Sequence, residues 1–362
     1  MINRDFYLEE IKSSMWDGQV KVITGLRRCG KSVLLFELFR DYLISTGVSD
    51  KNIIAISLDQ RKYYKYRNPI LLCDYVESVI KDDDSKYYVF IDEIQMSIKT
   101  IDKENGNIEV TVYDMLNELK SYKNIDVYVT GSNSKMLASD ILTEFRGRST
   151  QIHVYPLSFE EYYSYKGGDE RKCLEEYMLY GGMPRLTQLK DDNAKKKYLL
   201  SLYEEVYIKD IKERNRIERE DILEEILDYL SSQISSLTNP TKVANAISNE
   251  KKEKIDNILV SHYINHSVNA FLILIAKRYD IKGKQYLVTG SKYYAADIGL
   301  HYFILGTKQA DMGHILENIV YLELIRRGYE VHIGKVGDAE VDFIAIGAEG
   351  EEYYQVSQTV LE

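Results

Sequence analysis

The sequence predicts an α/β protein whose first part is a doubly wound parallel sheet, and three observations carry that expectation. The stretch TGLRRCGKS, Thr24 to Ser32, fits G-x-x-x-x-G-K-[ST] without a gap, the spacing of a loop that cradles phosphate between a strand and a helix. KYYVFIDEIQ, Lys86 to Gln95, is an apolar run closed by two acids, as expected for a strand buried on both faces. Strand-like and helix-like segments alternate up to Ser158, the order that produces a parallel sheet with helices on both faces.

VKVITG (Val20–Gly25) alternates and is rich in β-branched residues, so it reads as the first strand. GKSVLLFELFRDYL follows with apolar residues at helical spacing. NIIAISLD (Asn52–Asp59), the run ending in Asp92-Glu93, NIDVYVTGSNS (Asn124–Ser134) and STQIHVYPLS (Ser149–Ser158) supply four more strands. Acids at the C-terminal end of a central strand lie where open α/β sheets place ligands.

The candidate nucleotide-binding set is Gly25, Arg27, Arg28, Cys29, Gly30, Lys31, Ser32 and Val33. Gly25 and Gly30 let backbone N–H groups approach phosphate oxygens with no Cβ in the way, and the helix N-terminus adds positive dipole. Lys31 is expected to reach the β- and γ-phosphates and Ser32 to bind Mg²⁺. Arg27, Arg28 and Cys29 fill variable positions, and no side-chain chemistry is assigned to them. Asp92 is expected to join Ser32 in the Mg²⁺ shell, and Glu93 to polarise the attacking water as general base. Ser132 or Asn133 would touch the γ-phosphate or the lytic water, a polar turn being the competing reading. In EFRGRS, Arg146 or Arg148 would act as an arginine finger, worth roughly 10³–10⁵ in rate. Such a finger works in cis or across a homo-oligomer; a surface arginine pair is the alternative.

At 362 residues the chain exceeds one average domain, and a prior of ~150 residues each predicts two or three. A net charge of −10, from 47 basic and 57 acidic residues, argues against a general nucleic-acid coat protein. The charge is uneven. Ser235–Ala295 holds nine Lys/Arg against four Asp/Glu, whereas His301–Glu362 holds four against eleven. No apolar run reaches the ~18 residues of a membrane span, and MINRDFYLEEIKSSM has no signal-type apolar block, so the expected location is cytoplasmic. Cys29, Cys73 and Cys173 are widely spaced and odd in number, which speaks against a disulfide framework or zinc site.

TGLRRCGKS, VFIDEIQ, VTGSNSKML, FRGRS and YPLSFEEY together resemble the AAA+ class of P-loop ATPases. More narrowly, they are similar to prokaryotic ATP-binding proteins in which an AAA domain is fused to a C-terminal domain of unknown function. The resemblance covers most of the chain, and it implies ATP with Mg²⁺ as the nucleotide, with an ATPase core over residues 1–157. A helical lid is expected over 158–218, opened by a capping box of Ser158 and Glu161. YGGMPRL (Tyr180–Leu186) breaks the helical pattern. The resemblance implies that Gly182 and Pro184 approach the adenine and that Arg185 senses phosphate, a helix corner being the alternative.

Residues 219–300 read as a winged helix. DILEEILDYLSSQI is amphipathic, with Ile222, Ile226, Tyr229 and Leu230 on one side; Pro240 starts a second helix, and a third follows. Arg278–Val288 reads as a hairpin with Gly283 at its tip. Such a module docks double-stranded DNA with a helix in the major groove, and Lys277, Arg278, Lys282 and Lys284 would line the wing. A protein partner is the alternative. His262 and His266 stand at metal-ligand spacing without a third ligand, so a polar helix face is expected there.

Residues 301–362 resemble a small restriction-endonuclease-like α/β domain. Glu317, Asp342 and Gln355 match three of its metal-binding positions, and the lysine position is Ser357. Serine supplies no positive charge for hydroxide formation or phosphorane-like charge, so an inactive domain is expected, shortened because the chain stops soon after its third strand. The expected function is Mg²⁺-dependent ATP hydrolysis moving the downstream modules. The alternatives are a nucleotide-dependent DNA-binding or protein-interaction switch and, last, a metal-dependent nuclease.

Overall fold

A computed structural model of the protein describes residues 1–81, 85–103, 105–131, 149–280, 285–300, 312–336 and 339–357. The chain divides into two units, Met1–Val154 and Tyr155–Glu362. In the first, the strands are β1 (Val20–Thr24), β2 (Ile53–Ser57), β3 (Tyr87–Asp92), a short hairpin β4 (Thr100–Asp102) and β5 (Ile108–Val110), β6 (Ile125–Thr130) and β7 (Ser149–His153). Five of them form one parallel sheet in the order β2-β3-β6-β1-β7. The predicted α/β class and the five predicted strands are therefore present, each shorter than its apolar run.

Strand alternation explains the layers. Val89 and Ile91 of β3, with Val20, Val22, Val127 and Val129, pack against Leu72 and Val76 of α3 (Pro69–Val79) and Met115 and Leu119 of α4 (Val112–Ser121). On the opposite face, Phe90 and Tyr128 meet Phe39 at ring separations of 5.6 and 4.9 Å. Phe39 belongs to α2, which starts at Lys31–Val33, passes through a π turn at Leu34–Phe39 and ends as Arg40–Ser45. An N-terminal helix, α1 (Asp5–Ser13), precedes the sheet. Caps fix where helices begin: Asn68 accepts from Ile70 N–H ahead of α3, and Thr111 and Asp114 form a capping box on α4. Lys21, in the middle of β1, is wholly buried and neutralised by Asp126 at 2.5 Å and Asp17 at 2.8 Å.

The second unit begins with α5 (Phe159–Lys166), which carries the expected Ser158–Glu161 capping box, and α6 (Glu170–Tyr180). Next is α7, running from Asp192–Ser201 through a π turn at Leu202–Ile208 into Lys209–Asn215. Three helices follow: α8 (Glu220–Ser232), α9 (Pro240–Lys251) and α10 (Asn257–Asn269). The buried stripe of α8 is Ile222, Leu223, Ile226, Leu227 and Leu230, whereas Tyr229 is only half-buried. Strands β8 (Ile273–Asp280) and β9 (Gln285–Ala295) form an antiparallel hairpin longer than the predicted one. Its tip, with Lys282, Gly283 and Lys284, lies outside the described residues.

That hairpin belongs to a larger sheet. After α11 (Met312–Arg326), strands β10 (Glu330–Val336), β11 (Ala339–Gly347) and β12 (Gly350–Tyr354) complete the order β12-β11-β10-β8-β9, with β10 parallel to β8. Strands on both sides of residue 300 thus share hydrogen bonds. Tyr294 stacks on Tyr321 of α11 at 4.1 Å, above Phe343 and Ile333. The third strand of this part ends at Tyr354, one residue before Gln355, where the predicted strand continued.

Candidate functional site

The phosphate-loop sequence sits where the pattern places it, between the end of β1 and the start of α2. Gly25 has φ +138° and Gly30 φ +105°, and a Cβ on Gly25 would lie 2.1 Å from the Val154 carbonyl oxygen. A side chain on Gly25 would collide with backbone, and both glycines hold a positive φ that strains any other residue. Arg28 is left-handed as well, at φ 63°. Lys31 is buried, and its ammonium donates to the Gly25 and Leu26 carbonyls at 2.9 Å each. Val33 points to solvent at the start of α2.

Parallel register builds the second half of the site. Ser57 pairs with Asp92 across β2 and β3, while Ile91 pairs with Val129 across β3 and β6, so Ser57, Asp92 and Thr130 line one edge. Ser32 donates to Asp92 Oδ1 at 3.1 Å, and Ser57 Oγ lies 3.2 Å from Asp92 Oδ2. The Thr130 hydroxyl also donates to Asp92, and it accepts the Glu93 backbone N–H at 3.3 Å. Hydroxyl and carboxylate oxygens form this donor set, the chemistry that suits a hard cation such as Mg²⁺. A glycine-walled loop beside that set fits a Mg²⁺–nucleotide.

Glu93 ends the strand by entering the left-handed region at φ 54°, a strained conformation for a residue with a side chain. Its carboxylate accepts the Gln95 amide. Burial pushes the Glu93 pKa up, opposed by Lys31 and Arg27 and reinforced by Asp92. On the other side of the loop, Thr24 Oγ1 is 2.9 Å from His153 Nδ1. Burial and the Lys31 charge lower the His153 pKa to about 4, so its ring is neutral at neutral pH. Asn133, with Ser132, and both arginines of the finger motif, Arg146 and Arg148, lie outside the described residues.

In the second unit, the Gly181-Gly182 turn is packed against protein. A Cβ on Gly182 would lie 2.2 Å from the Leu157 carbonyl oxygen, and the Gly182 N–H donates to Asp297 Oδ2 at 2.8 Å. Asp297 is fully buried; burial lifts its pKa to about 6 against the N–H donors of Gly182, Leu300 and Gly299. Pro184 opens a short 3₁₀ turn, and Arg185 is exposed with its guanidinium 2.7 Å from Gln188 Oε1.

The acids of the C-terminal part converge on a lysine that the sequence did not point to. Lys292 of β9 is buried, 3.0 Å from Glu317 Oε1 and 2.7 Å from Glu340 Oε1. Tyr294 OH donates to Glu317 at 2.8 Å. Asp342 raises the Glu317 pKa further, after burial, and its own carboxylate accepts the Val356 N–H at 2.7 Å. Gln355 accepts the Asp342 N–H at 3.4 Å. His262 is exposed, and His266 lies 6.3 Å from the Tyr263 ring.

Sequence reasoning missed Ser57, Thr130 and Gln95 around Asp92-Glu93. The available signal was position: Thr130 is the last residue of a buried strand, ahead of Ser132 and Asn133. Lys292 was missed because it stands on the hairpin, far in sequence from the acids it meets.

Residues 17–163 match a family model described as an AAA domain, and residues 171–311 one described as a domain of unknown function. The chain is 34% identical over 362 residues to an uncharacterized protein of Haemophilus influenzae, covering 99% of this chain and 87% of that one. An uncharacterized protein of Methanocaldococcus jannaschii is 29% identical over 376 residues, covering 98% of this chain and 77% of its own. A Walker-type ATPase of Pyrococcus abyssi superposes with a TM-score of 0.54 at 14% identity, covering 84% of this chain and 96% of its own. That likeness is one of fold.

Proposed function

We propose that this chain, which carries an AAA domain over residues 17–163, binds ATP with Mg²⁺ and hydrolyses it at the C-terminal edge of the first unit's sheet. The observation that carries the reading is the meeting of Ser32, Ser57 and Thr130 on Asp92, beside the loop and next to Glu93. Lys31 would exchange its two loop carbonyls for phosphate oxygens when nucleotide enters. Glu93, held by Gln95 and by its own left-handed backbone, would take the proton of the attacking water. Mg²⁺, held by Ser32 and Asp92, would supply charge neutralisation on the phosphates. Phosphate release should need both ATP and Mg²⁺, and Asp92→Asn should cut it at least tenfold; Mg²⁺-independent release would contradict the metal assignment.

Coupling to DNA is the finer part of the proposal. It is supported by three successive helices leading into the β8–β9 hairpin and by the local basic surplus. The exposed side of α10 carries Asn257, His262 and Asn265, groups that hydrogen-bond base edges and phosphates. Turnover that rises with double-stranded DNA and falls back with salt is the expected result. Turnover indifferent to DNA would favour a nucleotide-dependent switch with a protein partner. Arg146 or Arg148 acting across subunits would show as an ATP-dependent rise in solution mass that Arg148→Ala abolishes.

For the C-terminal part we favour a structural role over a nuclease. Lys292 already neutralises Glu317 and Glu340, and the segment from His301 onward is strongly acidic. Plasmid cleavage with Mn²⁺ that Asp342→Ala removes would overturn this.

A further inference from the structure

One residue of the loop's surroundings lies outside both the phosphate-loop pattern and the stretch matched to the AAA domain, which begins at residue 17. Arg4, just ahead of α1, is buried, and its guanidinium donates to the Cys29 carbonyl at 3.0 Å. The same guanidinium sits 4.7 Å from the centre of the buried Tyr7 ring, which limits how it can move. The carbonyl it holds belongs to the peptide unit that joins Cys29 to Gly30.

The neighbours of that unit are conformationally unusual. Arg28 before it is left-handed at φ 63°, and Gly30 after it has φ +105°. Neither is regular helix, so the plane of the 29–30 peptide is set by its contacts rather than by a repeating backbone pattern. The Cys29 thiol touches the Val154 carbonyl at 3.2 Å, a weak restraint. In a planar trans peptide the C=O and the following N–H point in opposite directions. Fixing the Cys29 oxygen on one side therefore fixes the Gly30 N–H on the other.

We propose that Arg4 is a positioning residue of the phosphate loop: it holds the Cys29 carbonyl outward and so turns the Gly30 N–H toward bound phosphate. This rests on the nucleotide reading above. The N-terminal segment would then set the affinity of a site whose contacting residues all come later in the chain.

The test uses the full-length protein, with ATP–Mg²⁺ titrated by calorimetry, steady-state kinetics and melting without nucleotide. Arg4→Met should weaken ATP binding by about tenfold, the size of one hydrogen bond from a charged donor. It should raise KM while leaving kcat at saturating ATP largely intact. Arg4→Lys, which keeps a charged donor to a single carbonyl, should recover most of the lost affinity. A folded Arg4→Met protein with wild-type affinity overturns the proposal. So does an Arg4→Lys protein that loses as much affinity as Arg4→Met. Should Arg4→Met not fold, Arg4→Gln takes its place: intermediate affinity supports the assignment, and unchanged affinity sinks it. A wild-type protein that binds no ATP overturns the nucleotide reading itself, a result distinct from any of these.

Discussion

At the scale of single residues, the proposed chemistry rests on Glu93 and on the Thr130 hydroxyl beside it. Burial raises the Glu93 pKa above the ordinary 4.5, opposed by Lys31, Arg27 and Gln95. A general base works as the carboxylate, so kcat should fall as pH drops through a value higher than 4.5. A pH–rate profile with its acid limb at or below 4.5 would speak against Glu93 as that base. Thr130 bridges Asp92 and the Glu93 backbone with one hydroxyl. Thr130→Val keeps the shape and removes the bridge, and should lower kcat by roughly tenfold to a hundredfold, the range for an unsatisfied buried partner. Phosphate-release kinetics would check it. Of these residues, the sequence pointed to Lys31, Ser32, Asp92 and Glu93, because their spacing along the chain is itself the motif. Ser57 and Thr130 depend on which strands lie side by side, and no local pattern states that.

At the scale of elements, the second unit is held by close backbone packing and buried charge. Gly182→Ala would push a methyl group to 2.2 Å from the Leu157 carbonyl, so it should cost about 1–3 kcal/mol, read as a lower melting temperature. Asp297 offers a pH test. Its folded pKa is raised from 3.8 to about 6 by burial, so its contribution is fully present below pH 3.8 and is lost as pH rises through about 6. Wild-type stability should therefore fall across that window relative to Asp297→Asn, measured as the difference between their melting curves. Lys292→Met would leave the buried Glu317 carboxylate without its ammonium partner and should destabilise by about 3–5 kcal/mol, detectable by denaturant titration. The helix boundaries here were largely legible: Ser158 with Glu161, and Pro240, mark helix starts by local chemistry. The sheet was not. β8 lies parallel to β10 across more than forty residues of chain, and such pairing leaves no trace in composition or periodicity.

At the scale of the whole molecule, the chain combines a unit carrying the AAA domain with a second unit whose sheet joins strands from both sides of the predicted domain boundary at residue 300. No helix among the described residues is long and apolar enough to cross a membrane. The phosphate loop was readable because strand, loop and helix are contiguous; the role of the second unit was not, because its charged residues meet only through the fold. Hydrolysis of ATP at this edge of the first sheet remains the proposal on which the chemistry rests. The most direct test compares wild type and Glu93→Gln, measuring ATP binding by calorimetry and phosphate release in the same preparations. The variant is expected to bind ATP–Mg²⁺ with an affinity close to wild type and to release phosphate at least a hundredfold more slowly. Wild-type turnover by Glu93→Gln, or no ATP binding by either protein, would contradict it.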